Sequence, residues 1–250
     1  MINKKYCVVT PYYKEDRDQL ERCIRSVREQ SVPADHLLVA DGFPQDWIDG
    51  EAVRHIKLDR AHGDFGNTAR GIGALAAVAE KYDGIAYLDA DNWYDADHLE
   101  SCLAAAQRHP DRVDYVIARR KFVRPDGSLL PVVPAEMPDT EHVDTNCLFF
   151  LPMSYHLIHR WCIMPRELSA FGDRLFHYMC KNASFLPAIV EKRTVNYVCL
   201  FENVYRSIGE TPVPGAKPPV DWNHAQSWLD SLTPEQFLVT QTLTGLHLRK

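Results

Sequence analysis

Two aspartates separated by a single residue, in the triplet Asp89-Ala90-Asp91, follow a short apolar run that the sequence predicts as a buried strand. Packing does not explain two carboxylates in this place, because an ionised aspartate resists burial unless it is paired or bound to a metal. Hard oxygen ligands suit Mg²⁺ or Mn²⁺, and an ion held by one or two carboxylates can grip the phosphates of a nucleotide. We therefore predict a divalent-cation site at Asp89 and Asp91. The alternative is that Asp91 or Asp95 caps the helix predicted over about residues 96–109.

The elements that precede this triplet alternate between short apolar strands and helices. Strands are predicted over about residues 6–10, 37–40 and 55–58, the first of them stopped by Pro11, and an amphipathic helix over about residues 16–30. This βαβ rhythm favours an α/β fold with a mostly parallel sheet and helices on its faces. Ligands of such sheets bind beyond the carboxyl ends of the strands, so we expect Thr10, Asp41 and Asp89 to lie along one edge.

A glycine-containing segment, residues 61–71, lies between the third strand and the aspartates. Its glycines allow close approach of the backbone, and the helix predicted to start near Asn67 offers free N–H groups to an anion. Arg70 adds a side chain suited to phosphate or ribose. The alternative is a flexible loop with a solvent-facing Arg70.

Composition sets the outer bounds. The 250 residues, 46% of them hydrophobic, can bury a sizeable core in one large α/β domain or two small ones. A net charge of −6 without a long basic run argues against a non-specific grip on nucleic acid or an anionic membrane. No apolar run is long enough to span a bilayer. The seven cysteines show no C-x-x-C pair, and Cys7, Cys23, Cys102 and Cys147 read as small buried hydrophobes, so we expect a cytoplasmic location.

Four motifs occur in an order and spacing that resemble the family 2 glycosyltransferases, whose catalytic domain has the GT-A nucleotide-sugar fold. They are residues 8–13, 39–42, 67–70 and 89–91, which together cover about the first hundred residues. The resemblance implies that the donor is a UDP- or GDP-sugar and that the metal, Mn²⁺ or Mg²⁺, binds Asp89 and Asp91. It implies nucleotide contacts from Thr10, Pro11, Tyr12, Asp41, Asn67, Arg70, Asp89 and Ala90.

The second half of the chain is where the resemblance places the acceptor. A strand is predicted over residues 113–118, a hairpin turn near residues 122–128 and a proline-rich connection over residues 131–140. The apolar strand that follows resembles the family segment that returns beside the metal strand and lines the sugar pocket. Predicted sugar or acceptor contacts are therefore Asp144, Thr145, Asn146 and Trp161. Turn chemistry for the first three, and a core role for Trp161, are the alternatives.

Asp173 precedes an apolar pattern with helical spacing, which by itself favours a helix N-cap. The resemblance implies a sharper role, since a carboxylate near the start of a helix in this region is the family's general base. The family typically has a Glu-Asp pair here, whereas this chain has Gly172 before Asp173, and Glu167 is a second candidate. Arg174 would favour an ionised Asp173 if the two side chains approach each other.

Prolines around Gly215 predict a linker or lid-like loop, followed by two short helices, the second capped by Thr233. We expect one GT-A-like catalytic domain over residues 1–210, with a nucleotide-sugar half (1–110) and an acceptor half (111–210). Residues 211–250 would then form a proline-rich linker and C-terminal helices, which dock on the body or on a second copy in a homo-oligomer.

The function predicted from these motifs is inverting transfer of a sugar from a nucleotide-diphosphate donor to a hydroxyl of a glycan or small-molecule acceptor. The metal would neutralise the leaving diphosphate, and Asp173 would take the acceptor's proton. Two alternatives stay open: a nucleotidyltransferase of related fold, and a non-catalytic protein that binds a nucleotide sugar or glycan.

Overall fold

The computed structural model describes residues 4–109, 112–134 and 142–245. Its strands are β1 (Tyr6–Tyr12), β2 (Asp35–Ala40), β3 (Arg54–Lys57), β4 (Gly84–Tyr87), β5 (Trp93–Tyr94), β6 (Tyr115–Val123), β7 (Leu148–Phe150) and β8 (Pro187–Val198). They form a single sheet in the order β3-β2-β1-β4-β7-β6-β8-β5. The α-helices are α1 (Arg17–Arg28), α2 (Asn67–Ala79), α3 (His98–Arg108), α4 (Gly172–Asn182), α5 (Glu202–Ser207), α6 (Trp222–Ser231) and α7 (Pro234–Thr244).

The first four strands of that order are mutually parallel, as the βαβ pattern predicts. Residues 7–9 of β1 and 37–40 of β2 are fully buried, which is why these strands read as continuous apolar runs in the sequence. Because parallel strands point the same way, β1, β2 and β4 bring their carboxyl ends to one edge of the sheet. The segments that follow β2 and β4, with Asp41 and Asp89, therefore meet the end of β1 there.

Pro11 does not end the first strand, contrary to the expectation from the sequence. β1 continues to Tyr12, which is in register with Ala40 of β2. Pairing with β4 stops at Val9, whose carbonyl accepts a hydrogen bond from Leu88 N. The backbone polar groups of Val9 and Pro11 face the same side of β1. The nitrogen of Pro11, which carries no hydrogen, therefore faces the side where β4 has already ended. A proline is tolerated in a strand at such an unpaired edge.

The second half of the sheet is mixed in direction. β7 runs antiparallel to β4, with Ala86 in register with Phe149, so the predicted return beside the metal strand is confirmed. β6 is antiparallel to β7 and parallel to β8, and β8 is antiparallel to β5. The predicted turn after β6 is present, with Gly127 at φ +86°. Residues 135–140 of the predicted proline-rich connection lie outside the described residues.

The C-terminal segment is attached to the body of the protein. Lys217 N donates to the Leu200 carbonyl, and Glu202 N donates to the Lys217 carbonyl, so part of the proline-rich linker pairs with the chain after β8. α7 begins with the predicted capping box of Thr233 and Gln236. The division of the chain at residue 210 and the homo-oligomer stay predictions. Among the described residues, the helices are too short or too polar to cross a bilayer.

All seven cysteines are free thiols, and the four that the sequence places among apolar residues are buried, as predicted. These four cysteines all belong to the apolar core that contains residues of β1, β4 and β7, and Cys23 enters it from α1 and Cys102 from α3. The thiols therefore act as small core side chains. The cytoplasmic location inferred from them stays a prediction.

Close packing of α2 on the sheet gives a test of the fold. A Cβ atom added at Gly73 would lie 2.6 Å from Val9 Cγ1 and 2.8 Å from Val39 Cγ2. We predict that Gly73→Ala lowers the free energy of unfolding by about 1–2 kcal/mol, because overpacking against two buried valines outweighs the better helix propensity of alanine. Gly50→Ala is the matched control, since nothing lies within 4 Å of its added Cβ. Denaturant unfolding that gives Gly73→Ala wild-type stability would contradict the packing described for α2.

Candidate active site

A cavity of about 390 Å³ opens at the edge where β1, β2 and β4 end. Six of the residues predicted for the site line it: Pro11, Tyr12, Asp41, Asp89, Ala90 and Asp91. The wall also contains Tyr13 of the first motif and residues 63–66 of the glycine-containing segment predicted to approach a ligand. The sequence did not point to the remaining four residues of the wall, which are Glu15, Asn92, Tyr197 and Lys217. The motifs that lie far apart in the chain thus converge on one pocket, as expected for the carboxyl edge of a parallel sheet.

The wall of this cavity carries an excess of negative charge. Five of its residues are acids: Glu15, Asp41, Asp64, Asp89 and Asp91. Lys217 is the single lysine or arginine among the described residues that line it. A diphosphate would be repelled by such a surface unless a cation bound with it. The charge of the cavity therefore favours a metal-dependent ligand.

The Asp89 carboxylate already has partners in the protein. One oxygen accepts a hydrogen bond of 2.7 Å from Arg70 Nη2, and the other accepts one of 2.9 Å from Asn146 Nδ2. Asp89 N in turn donates to Asn146 Oδ1 at 2.5 Å. The side chain is still one-third exposed, so Asp89 is held in a fixed orientation with its outer face toward the cavity.

The Asp91 carboxylate differs, since no described side chain forms an ion pair with it, although its charge acts on the nearby Arg22 guanidinium. The Arg22 guanidinium approaches but donates to the Asp91 backbone carbonyl. Burial, with the neighbouring charges of Asp89 and Glu15, raises the pKa of Asp91 to about 7. A carboxylate in this condition fits a divalent cation, which would relieve the repulsion. Asp89 and Asp91 therefore suit the metal of the sequence prediction.

Helix capping does not explain these acids. α3 starts after Asp97, so neither Asp91 nor Asp95 is its N-cap. Asp95 accepts hydrogen bonds from Lys121 Nζ and from Asn196 Nδ2, which tie the loop to β6 and β8. Asp95 has a structural role, whereas Asp91 faces the cavity.

Asp41 closes the other end of the cavity and is tied to the loop after β3. Its carboxylate accepts from His62 N at 3.1 Å and lies 2.6 Å from His62 Nδ1. Gly42 permits this arrangement because it has φ +81°, and a Cβ there would lie 2.3 Å from Ala61 N. The motif Asp41-Gly42 thus fixes the loop over the end of β2.

Other predicted nucleotide contacts lie behind the wall of the cavity. Arg70 is 4% exposed, so the solvent-facing alternative is wrong, and its guanidinium binds Asp89 and Asn67 Oδ1 and packs over Trp161. Asn67 is buried and starts α2 as predicted. Thr10 is fully buried, with its hydroxyl 2.8 Å from His36 Nε2. These side chains support the pocket from within the core.

The predicted sugar contacts are also buried. Trp161 is fully buried and stacks on Phe176 at 4.2 Å, which agrees with its alternative role in the core and not with contact to a sugar. Thr145 is 6% exposed and begins a short 3₁₀-helix, Thr145–Cys147. Asn146 is fully buried and holds both Asp89 and Asp144 through its side-chain amide. Asn146 therefore positions an acid of the site.

A second group of polar side chains lies behind Asp89 and consists of His142, Asp144 and Asp173, whose ligand atoms lie within 4.8 Å of one another. His142 Nε2 is 2.8 Å from Asp173 Oδ2, and Arg120 Nη1 is 2.5 Å from Asp144 Oδ2. This group is also able to offer a nitrogen and two oxygens to a metal. It differs from Asp91 because the Asp144 carboxylate is already neutralised by a buried guanidinium.

Asp173 is the second residue of α4, and Phe171 occupies the N-cap position, so the capping alternative is wrong. Burial alone would raise the pKa of Asp173. The hydrogen bond and charge of His142, the Arg174 backbone N–H and the Arg120 charge lower it by more than this rise, so the pKa of Asp173 lies below the ordinary value. Asp173 is therefore ionised at neutral pH. Glu167 lies in the preceding 3₁₀-helix, Arg166–Phe171, and is not part of this group.

The two groups are electrostatically connected through Asp144. Burial raises the pKa of Asp144, Arg120 opposes that rise, and the charges of Asp89 and Asp173 add to it. Tyr197 of β8 lines the cavity while the Arg120 guanidinium packs 4.6 Å from the centre of its ring. Asn146 and Asp144 thus link the Asp89–Asp91 edge to the Asp173 group, although His142, Asp144 and Asp173 do not themselves line the cavity. Motif spacing could not predict Tyr197 or Lys217, since both lie in segments without a local chemical signal.

The model of one protein family matches residues 7–131, half of the chain, and its description is glycosyl transferase family 2. The chain belongs to the family 2 glycosyltransferases. The matched region includes the cavity wall from Pro11 to Asn92 and ends before the Asp173 group. No curated protein matches the sequence of this glycosyltransferase.

Solved structures of S. aureus TarS share its fold. One TarS crystal structure has a TM-score of 0.60 and 14% identity over 95% of this chain and 43% of the TarS chain. TarS 1–349 in complex with UDP has a TM-score of 0.57 and 14% identity, over 95% of this chain and 71% of that one. TarS 1–349 in complex with UDP-GlcNAc has a TM-score of 0.57 and 16% identity, over 96% of this chain and 70% of that one. These identities show the fold alone, and the predicted GT-A type of α/β fold is confirmed.

The raised pKa of Asp91 predicts a characteristic pH dependence of stability. Because the folded state binds the Asp91 proton more tightly than the unfolded chain, this residue lowers stability as pH rises from about 4 through 7. Without metal, Asp91→Asn should be more stable than wild type at pH 8, by at most about 4 kcal/mol, and the gain should shrink at pH 5.

Denaturant unfolding in the presence of a chelator measures this difference. Asp46→Asn is the matched control, because the Asp46 side chain is 95% exposed. Mn²⁺ added at pH 8 should stabilise wild type and leave Asp91→Asn unchanged. An Asp91→Asn protein no more stable than wild type at pH 8 would contradict the repulsion described for this edge.

Proposed function

We propose that this family 2 glycosyltransferase moves a sugar from a nucleotide-diphosphate donor to an acceptor hydroxyl with inversion of the anomeric centre. The observation that carries the proposal is the unpaired Asp91 carboxylate in an acid-rich cavity, beside the ionised Asp173 group. The Asp91 carboxylate would bind a cation that accompanies a diphosphate. The Asp173 carboxylate would act as the base for an acceptor hydroxyl. Together they supply the two charges that a single displacement at a sugar carbon needs.

Asp89 and Asp91 would hold Mn²⁺ or Mg²⁺, since both are oxygen donors and the nearby Arg22 guanidinium donates to the Asp91 backbone carbonyl and not to its carboxylate. When bound, the ion supplies Lewis-acid neutralisation of charge on the leaving diphosphate. Arg70 and Asn146 keep the Asp89 carboxylate fixed from behind, so little reorganisation is required when a ligand binds. Lys217 lines the same cavity and adds a positive charge from the C-terminal segment.

A UDP-sugar is the donor that we favour over a GDP-sugar. The support comes from the TarS structures of the same fold, two of which hold UDP and UDP-GlcNAc. The base and ribose would occupy the end of the cavity beside Pro11 and Asp41, and the diphosphate the end beside Asp91. This order follows from the strands, because Asp41 follows β2 and Asp89 follows β4, with β1 between them.

Asp173 would accept the proton of the acceptor hydroxyl as its oxygen attacks the anomeric carbon. A general base must be ionised at the working pH, and the lowered pKa of Asp173 meets this condition. His142 orients the carboxylate through its 2.8 Å contact to Oδ2, and the Arg174 N–H donates to Oδ1 at 2.7 Å. The acceptor would enter from the side of α4.

The test measures nucleoside diphosphate released from UDP- and GDP-sugars with Mn²⁺ and a panel of hydroxyl-bearing acceptors. We predict release by wild type, and for Asp173→Asn a loss of at least about 100-fold in turnover with UDP affinity unchanged. Glu167→Gln is the matched control and should keep its turnover.

The products separate the competing functions. Pyrophosphate in place of nucleoside diphosphate would indicate a nucleotidyltransferase, and tight UDP binding without turnover on any acceptor would indicate a binding protein. Full turnover of Asp173→Asn, with loss in Glu167→Gln, would move the base to Glu167.

A further inference from the structure

Three residues other than glycine have a positive φ among the described residues: Phe65 (+58°), Lys81 (+60°) and Ser184 (+56°). Lys81 comes just after the end of α2 and Ser184 just after the end of α4, where the left-handed conformation is a common way to end a helix. Phe65 precedes α2 and has no such explanation. A phenylalanine in this region of φ is strained, so the reason for its presence must lie in the side chain.

The Phe65 side chain contributes little to the core. It is 72% exposed, although burial of a phenyl ring is among the most favourable contributions a side chain makes to folding. Gly63 and Gly66 in the same loop also have positive φ, and there the chain uses the residue that tolerates it. Neither the backbone nor the packing accounts for an aromatic residue at position 65. A bound ligand is the remaining partner for the ring.

The position of Phe65 shows which part of a ligand it would meet. Phe65 lines the same cavity as Asp41, and the loop that carries it is tied to Asp41 by the hydrogen bonds of His62. Asp41 follows β2 and Asp89 follows β4, so the two acids are about 10 Å apart by the spacing of two neighbouring strand pairs. Gly66, the residue after Phe65, lies against Pro11, since a Cβ added there would be 3.1 Å from Pro11 Cβ. The loop that carries Phe65 therefore extends from Asp41 to Pro11, which is the end of the cavity assigned above to the base and ribose.

We propose that Phe65 supplies the aromatic face on which the base of the nucleoside-diphosphate donor stacks, an inference that rests on the proposed function. Every base has a flat π face that stacks on an aromatic side chain. Tyr12, which the family resemblance places near the base, has a ring that is 2% exposed and a hydroxyl that bonds His55 and Gln45 N. Tyr13 is the competing ring, since it lines the same cavity and is 40% exposed.

Calorimetric titration of UDP, UMP and pyrophosphate, each with Mn²⁺, into wild type and Phe65→Ala tests the proposal. We expect Phe65→Ala to weaken UDP and UMP binding by about tenfold and to leave pyrophosphate binding within twofold, because pyrophosphate has no base to stack. Phe65→Trp should keep the wild-type affinities. Tyr178→Ala removes an exposed ring on α4, 40% exposed, that does not line the cavity, and it serves as the control.

Phe65→Gly separates stacking from backbone strain. Glycine accepts the positive φ, so this variant should melt no lower than wild type while it loses the same tenfold in UDP affinity. A loss of affinity that accompanies a lower melting temperature in every Phe65 variant would show a structural role instead, and would overturn the proposal.

Three results overturn the stacking role, and they differ from a failure of the proposed function. A Phe65→Ala variant that binds UMP as tightly as wild type excludes the stacking role. A loss of UDP and UMP affinity in Tyr13→Ala, without one in Phe65→Ala, excludes it as well. An effect on UDP-GlcNAc without an effect on UDP would place the ring against the sugar. If wild type binds neither UDP nor UMP, the proposed function fails and this inference fails with it.

Discussion

Repulsion among the carboxylates at the ends of β1, β2 and β4 is the constraint around which this site is arranged. At an effective dielectric constant of about 20, two like charges about 5 Å apart repel by about 3 kcal/mol, a large part of the 5–15 kcal/mol that typically stabilises a domain. The protein offsets most of this locally: Arg70 and Asn146 hold Asp89, and His62 holds Asp41. Asp91 forms no ion pair with a described side chain, and burial together with the charges of Asp89 and Glu15 raises its pKa, which prepares it for a metal. The repulsion at this site thus lowers the stability of the folded protein and favours binding of a cation.

The same polar contacts join the two halves of the sheet. The Asn146 amide holds Asp89 on one side and Asp144 on the other, and it lies just before β7, the strand that pairs with β4. Asn92 Oδ1 accepts from Val198 N, so the loop after β4 is also fastened to β8. The Asp89–Asp91 edge and the Asp173 group are therefore held by rigid strands and not by a mobile connection. This rigidity suits a reaction in which two charges act on one sugar carbon from opposite sides.

Much of the fold could be predicted because its signals are local. Parallel strands buried on both faces read as apolar runs, and α7 begins with a capping box whose two residues are three apart. The site was harder to predict, because the fold decides which side chains come into contact with each other. Thr10 and Trp161 stand next to binding motifs but point into the core, and Asn146 supports an acid where a sugar contact was expected. Lys217 reaches the cavity from a proline-rich segment in which a lone lysine carries no signal.

The structure contains two groups of side chains able to bind a cation, and the proposed mechanism requires the metal at Asp89 and Asp91. Diffraction data collected at the manganese absorption edge, from crystals grown with Mn²⁺ and UDP, would locate the ion directly. We predict an anomalous peak beside the carboxylates of Asp89 and Asp91, with the diphosphate against it. A peak between His142, Asp144 and Asp173, with none beside Asp91, would contradict a metal at the Asp89–Asp91 edge.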